Sequence, residues 1–128
     1  MMFNESTITD MHVKQIIDNE TTTLQFAALD EEIVSVCASL GIQSADIPVD
    51  NSGYITAPTL KKWAMNWIMQ RLLSDYWGGA MGDLTDIYKA KLDYYTGELN
   101  DSRTSLTYEN ITNTNPSPTA YIKQVVVY

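Results

Sequence analysis

The chain has 128 residues, one Cys, one His and a formal net charge of −8, with 45% hydrophobic and 19% charged residues. That is the composition of one globular domain with its own core, and a lone Cys37 and a lone His12 exclude an internal disulfide framework and argue against a Cys/His zinc site. No apolar run approaches the roughly 20 residues that span a bilayer, the opening MMFNESTITD lacks the basic flank and apolar stretch of a signal peptide, and the acidic balance is the reverse of a free-standing DNA binder.

In chain order, Thr9-Asp10 is placed to cap a short first helix through Met11, Val13, Ile16 and Ile17, because the Asp10 carboxylate can accept from free N–H groups of the first turn. The polar, β-branched stretch Asn19–Thr23 suits a break. A second helix is expected from about Leu24 to Leu40, since Phe26, Leu29, Ile33, Cys37 and Leu40 recur at three and four residues. Gly41 suits its C-terminal cap, where the backbone turns left-handed. Residues 42–58 carry two prolines and the cluster Asp50-Asn-Ser-Gly53, which predicts a loop containing a β-turn.

Thr56 is expected to cap a third helix with Pro58 in its first turn. Leu60, Trp63, Ala64, Trp67, Ile68 and Leu72 make a stripe so wide that this helix should be central. Gly78-Gly79 should stop it. Asp83 can cap a fourth helix on which Leu84, Ile87, Tyr88, Lys91, Tyr95 and Leu99 keep the period, with Leu92 beside them. The stem of Lys91 can lie along an apolar surface while its ammonium reaches water, and Gly97 should weaken the last turn. Leu106–Ile111 fits one further turn. Residues 113–119 form a Pro/Asn/Thr linker. Residues 120–128 are β-branched and aromatic and read as a strand. The expected class is therefore all-α: a helical domain over 1–112, a bundle of about four helices, followed by the linker and an extended β-strand arm.

That arm, Tyr121, Ile122, Lys123, Gln124, Val125, Val126, Val127 and Tyr128, has no strand inside its own chain to pair with, and its backbone groups need partners. It is either a tail, frayed or folded back on the loop at Tyr54-Ile55, or an arm that adds a strand to a partner's sheet. The charge is also uneven. Residues 1–60 hold nine acids against Lys14 alone and carry the whole excess, while the remainder is balanced. Either this serves solubility or the molecule is polarised, with neighbours meeting its acidic half.

No catalytic constellation stands out, and an enzyme is not expected. Cys37 lies on an apolar face without a base, as a small hydrophobe would. Asp30-Glu31-Glu32 offers carboxylates, but a helix-start cluster favoured by the dipole explains them as well. Asp46 and Asp50–Gly53 are oxygen-rich without the spacing of a calcium loop. Trp63 and Trp67 could stack a base or a cation, although such a stripe is more often core. Neither metal nor cofactor is implied.

Four segments together resemble the head–tail connector, or neck adaptor, proteins of tailed bacteriophages. Thr9-Asp-Met-His-Val-Lys-Gln-Ile-Ile-Asp18 looks like the family's opening helix. The Leu24–Leu40 helix ending in Leu-Gly-Ile and the Leu60–Trp77 helix look like the next two, followed by the Tyr- and Lys-rich Leu84–Leu99 helix. The resemblance covers about residues 9–100 as a pattern of lengths and apolar faces, without a diagnostic motif, and the loop 42–58 departs from it. It implies a structural virion subunit in the neck, assembled in the host cytoplasm as a homo-oligomeric ring, commonly of twelve, below the portal protein. Such a ring extends the DNA channel and meets a tail terminator or the next neck protein, with no membrane involved. DNA passes without specific binding, because each neutralised phosphate would add counterion-release affinity that retards ejection. Some of Glu5, Asp10, Asp18, Glu20, Asp30, Glu31 and Glu32 are then expected at the channel or at a basic neighbour.

Two other classes compete. Trp77-Gly78-Gly79 between two helices, with Tyr94 and Glu98 four apart, resembles the small helical-hairpin substrates of bacterial type VII secretion. Pro48 and Pro58 spoil the long first helix of such a hairpin. An acidic inhibitor that mimics DNA is the third reading.

Overall fold

The structure is a computed structural model that describes residues 2–8, 20–79 and 85–112. The helix expected over Met11–Ile17, the Asp83 cap, the linker and the C-terminal arm lie outside them. Four α-helices are described: α1 (Glu20–Ser39), α2 (Pro58–Gly79), α3 (Thr85–Thr104) and the short α4 (Tyr108–Thr112). Single 3-10 turns occur at Glu5–Thr7 and Ser44–Asp46. No strand forms among the described residues, and the domain is an all-α bundle.

α1 begins at Glu20, ahead of the expected start at Leu24. Its threonines are only mildly poor helix formers, and an amphipathic face that docks on a core outweighs that preference. Asp30–Glu32 therefore sits in the middle of the helix and not at its start, so the helix dipole does not account for the cluster. Phe26, Leu29, Ile33, Val36 and Cys37 are buried along one side. The end is as expected. Gly41 has φ 84°, its N–H donates to the Ala38 carbonyl at 3.0 Å, and the Ile42 N–H donates to the Cys37 carbonyl at 2.9 Å. This is a Schellman cap with its hydrophobic contact, since Ile42 and Cys37 are both buried.

The segment 42–58 is more than a surface loop. Ile42, Ile47, Ile55 and Ala57 are all buried in the core. The expected turn is present. Gly53 has φ 85°, its N–H donates to the Asp50 carbonyl at 3.0 Å, and the Asp50 N–H donates to the Tyr54 carbonyl at 2.8 Å. The turn folds Val49 against Ile55 in an antiparallel bridge. α2 follows with Pro58 as its first residue. The Lys61 N–H donates to the Ala57 carbonyl at 2.9 Å, so buried Ala57, not Thr56, holds the N-cap position. The whole stripe of α2, Leu60, Trp63, Ala64, Trp67, Ile68 and Leu72, is buried, with Met69 and Leu73 beside it.

α3 packs along α2 in the most extensive helix pair. It runs antiparallel, since Asn66 in the first half of α2 meets Glu98 and Ser102 near the end of α3. Leu92, Tyr95 and Leu99 are only partly buried against the core. Ile87, expected on the inner stripe, is 40% exposed. Lys91 is half-buried, as a snorkelling lysine would be. Gly97 lies well inside α3, which continues to Thr104. In α4, the Asn110 N–H donates to the Thr107 hydroxyl at 3.0 Å, an N-cap bond, while Leu106 and Ile111 plug into the core.

The N-terminal segment is integral to this core, which the sequence reading did not anticipate. Phe3 and Ile8 are buried. The Phe3 ring stacks on Phe26, with centroids 6.4 Å apart. The Met2 N–H donates to Asp30 Oδ1 at 2.7 Å, and the Met2 carbonyl accepts from the Ile55 N–H at 2.8 Å. Three stretches distant in sequence are thereby tied at one end of the bundle.

Candidate functional site

The bridge Val49–Ile55, the N-terminal segment and the first two turns of α2 enclose a groove of about 370 Å³. Phe3, Ile55 and Met65 give it an apolar floor, with Tyr54 alongside. Lys61 and Lys62 edge it and are exposed. Neither forms an ion pair among the described residues. Asp50 also borders the groove. Its Oδ1 accepts from the N–H groups of Ser52 at 2.8 Å and Tyr54 at 3.0 Å, so its charge is directed onto its own turn. Asn66 closes the inner end, and its side-chain amide donates to the Glu98 carbonyl and to Ser102 Oγ, each at 3.4 Å. Among the described residues no buried side-chain nitrogen or oxygen is left without a partner. The groove is thus formed by satisfied groups, with Lys61 and Lys62 at its rim unpaired among the described residues.

The acids singled out from sequence divide. Asp18 lies outside the described residues, and Glu20 opens α1. Asp30 is turned inward, with its carboxylate holding the Met2 N–H. Glu31 and Glu32 are exposed and form no ion pair among the described residues. α1 contains no Lys, Arg or His at all, so its solvent side is purely acidic. The strand-like residues Tyr121–Tyr128 and His12 also lie outside the described residues.

Trp63 and Trp67 are 4% and 6% exposed, so their faces belong to the core and not to a stacked base. The Arg71 guanidinium lies over the Trp67 ring, 4.9 Å from its centroid, a cation–π contact within the chain. Burial raises the pKa of the Cys37 thiol, by desolvation of the thiolate, which suits a packed hydrophobe rather than a nucleophile. Among the described residues no group of His, Cys, Asp and Glu is placed to hold a metal ion. Among the described residues no helix is long and apolar enough to cross a membrane.

The sequence reading missed the groove. Its only signals were the adjacent Lys61-Lys62 one turn after Pro58 and an apolar Met-Met-Phe opening. Leu24, the expected start of its helix, is 69% exposed, and Tyr94, notable in the sequence only for its spacing to Glu98, is 60% exposed. No protein-family model, curated protein or solved structure matches the chain.

Proposed function

We propose that the chain is a structural subunit of a tailed-bacteriophage neck, a head–tail connector that rings the DNA path below the portal protein. The observation that carries this reading is the division of α1. One side is continuously apolar and buried, and the other presents Leu24, Glu31 and Glu32 to solvent without a cation on the same helix. A subunit with a complete core and an unpaired, one-signed helix face is suited to assembly. The acidity of residues 1–60 suits a passage that does not grip phosphates. The arm 120–128 supplies a second contact, a strand offered to a neighbour.

Truncation after Thr119 tests the reading. The shortened chain is expected to keep its helical circular dichroism and its melting temperature but to be lost from assembled heads. Normal incorporation of the truncated chain would remove the arm from the account.

The hairpin-secretion reading has one observation in its favour: α2 ends at Trp77-Gly78-Gly79 and α3, antiparallel to it, carries Tyr94 and Glu98 four apart. Against it, α1, the segment 42–57 and the N-terminal residues bury their apolar side chains in the same core. A two-helix hairpin has no counterpart to them. That reading expects the chain outside the cell as a dimer and indifferent to a portal.

A further inference from the structure

We propose that copies of the chain associate head to tail, with the outward face of α1 in one copy seated in the groove of the next. This deepens the ring reading by naming the contact that would build the ring.

The outward face of α1 is unusually simple. At 100° per residue, Leu24, Glu31 and Ser35 fall on one line, directly opposite Phe26, Leu29 and Ile33, with the half-buried Ala28 beside that line. Leu24 is 69% exposed, and its neighbours on that face, Ala27, Ala28, Ser35 and Ala38, are small. It therefore projects as a knob. Glu31 and Glu32 follow about two turns on, roughly 10 Å along the axis. Among the described residues, none pairs with these carboxylates, and Leu24 stays largely open to solvent.

The groove has the complementary chemistry. Its floor of Phe3, Ile55 and Met65 suits an aliphatic side chain, and its volume of about 370 Å³ exceeds that of one leucine. Lys61 and Lys62 lie at its edge, and among the described residues no acid is paired to them. The one carboxylate bordering it, Asp50, is bound to the amides of Ser52 and Tyr54. Among the described residues, a face whose charges are acids thus meets a groove whose unpaired charges are cations. Like-charge conflict at such a contact is absent, and electrostatic complementarity fixes its register. The two surfaces are different patches of one molecule, so the contact is heterologous, and repetition closes into a ring or runs on as a filament.

Sedimentation velocity on the full chain, over a range of protein concentrations and from roughly 0.05 to 0.5 M salt, tests the contact. The unaltered chain is expected to form assemblies that grow with concentration and dissociate as salt rises. Glu31→Lys with Glu32→Lys, and separately Lys61→Glu with Lys62→Glu, should each weaken association by about tenfold or more. An equimolar mixture of the two variants should recover it, because each altered face then meets an altered groove. Leu24→Ser should weaken association without lowering the melting temperature. All substituted residues are exposed, and circular dichroism verifies that each variant is folded. A chain that stays monomeric in every condition, charge variants that associate like the original, or a mixture that fails to recover would overturn the contact. Binding to a portal by a chain that never self-associates would overturn this contact and leave the neck reading intact. Self-association through this contact without any portal binding would do the reverse.

Discussion

α2 and α3 are helices of similar length with similar apolar periodicity, yet they sit in the molecule very differently. α2 is buried on most of its circumference, from Leu60 through Leu73. α3 rests on α2 by a strip of Leu92, Tyr95 and Leu99 that is only partly covered, and its flank exposes Ile87 and Tyr94. The difference lies in what surrounds each helix. α2 is contacted by α1, α3 and α4. An apolar stripe therefore specifies a direction, and the number of neighbours decides how deep the burial goes.

Four substitutions sharpen or break that contrast. Trp67→Ala on α2 removes a ring that is 6% exposed and should cost about 3–5 kcal/mol in denaturant unfolding. A cost under about 1 kcal/mol would mean that α2 is not the centre of the core. Leu99→Ala on α3 should cost less, about 1–2 kcal/mol, because its side chain is only partly removed from water. Equal costs at the two sites would erase the contrast. Gly41→Ala forces a side chain into a backbone at φ 84° and should destabilise by about 1 kcal/mol. Gly97→Ala should act in the opposite direction. Its backbone is helical and an added Cβ meets nothing within 4 Å, so stability should rise by up to about 1 kcal/mol. A destabilised Gly97→Ala chain would show that α3 is approached more closely than its exposed flank indicates. Melting temperatures measured side by side read all four.

Much of the bundle is legible in the sequence because period and punctuation agree. The Phe26–Cys37 face with Gly41 behind it predicts α1 and its cap, and Pro58 with the Leu60–Leu72 stripe predicts α2. The turn at Asp50–Gly53 follows from its Asx and Gly residues. Other features depend on tertiary contacts that no local pattern carries. Thr21–Thr23 look like a break but are helical, because the face that follows them is docked. Ile47 and Ile55 look like loop residues but fill the core, because the turn between them brings them together. Phe3 becomes a core residue by stacking on Phe26, and Asp30 becomes an anchor by holding the Met2 amide. The groove is illegible for the same reason, since Phe3, Ile55 and Met65 are distant in sequence. The acidic character of α1 is legible from composition, whereas the orientation of Asp30, away from Glu31 and Glu32, is not.

The neck reading is tested most directly by electron microscopy of the full chain incubated with a candidate portal protein. The account predicts a closed ring of copies added to one end of the portal, coaxial with its channel and with the helices of the bundle resolved in each copy. Portals that remain bare at a saturating concentration of folded chain would contradict it.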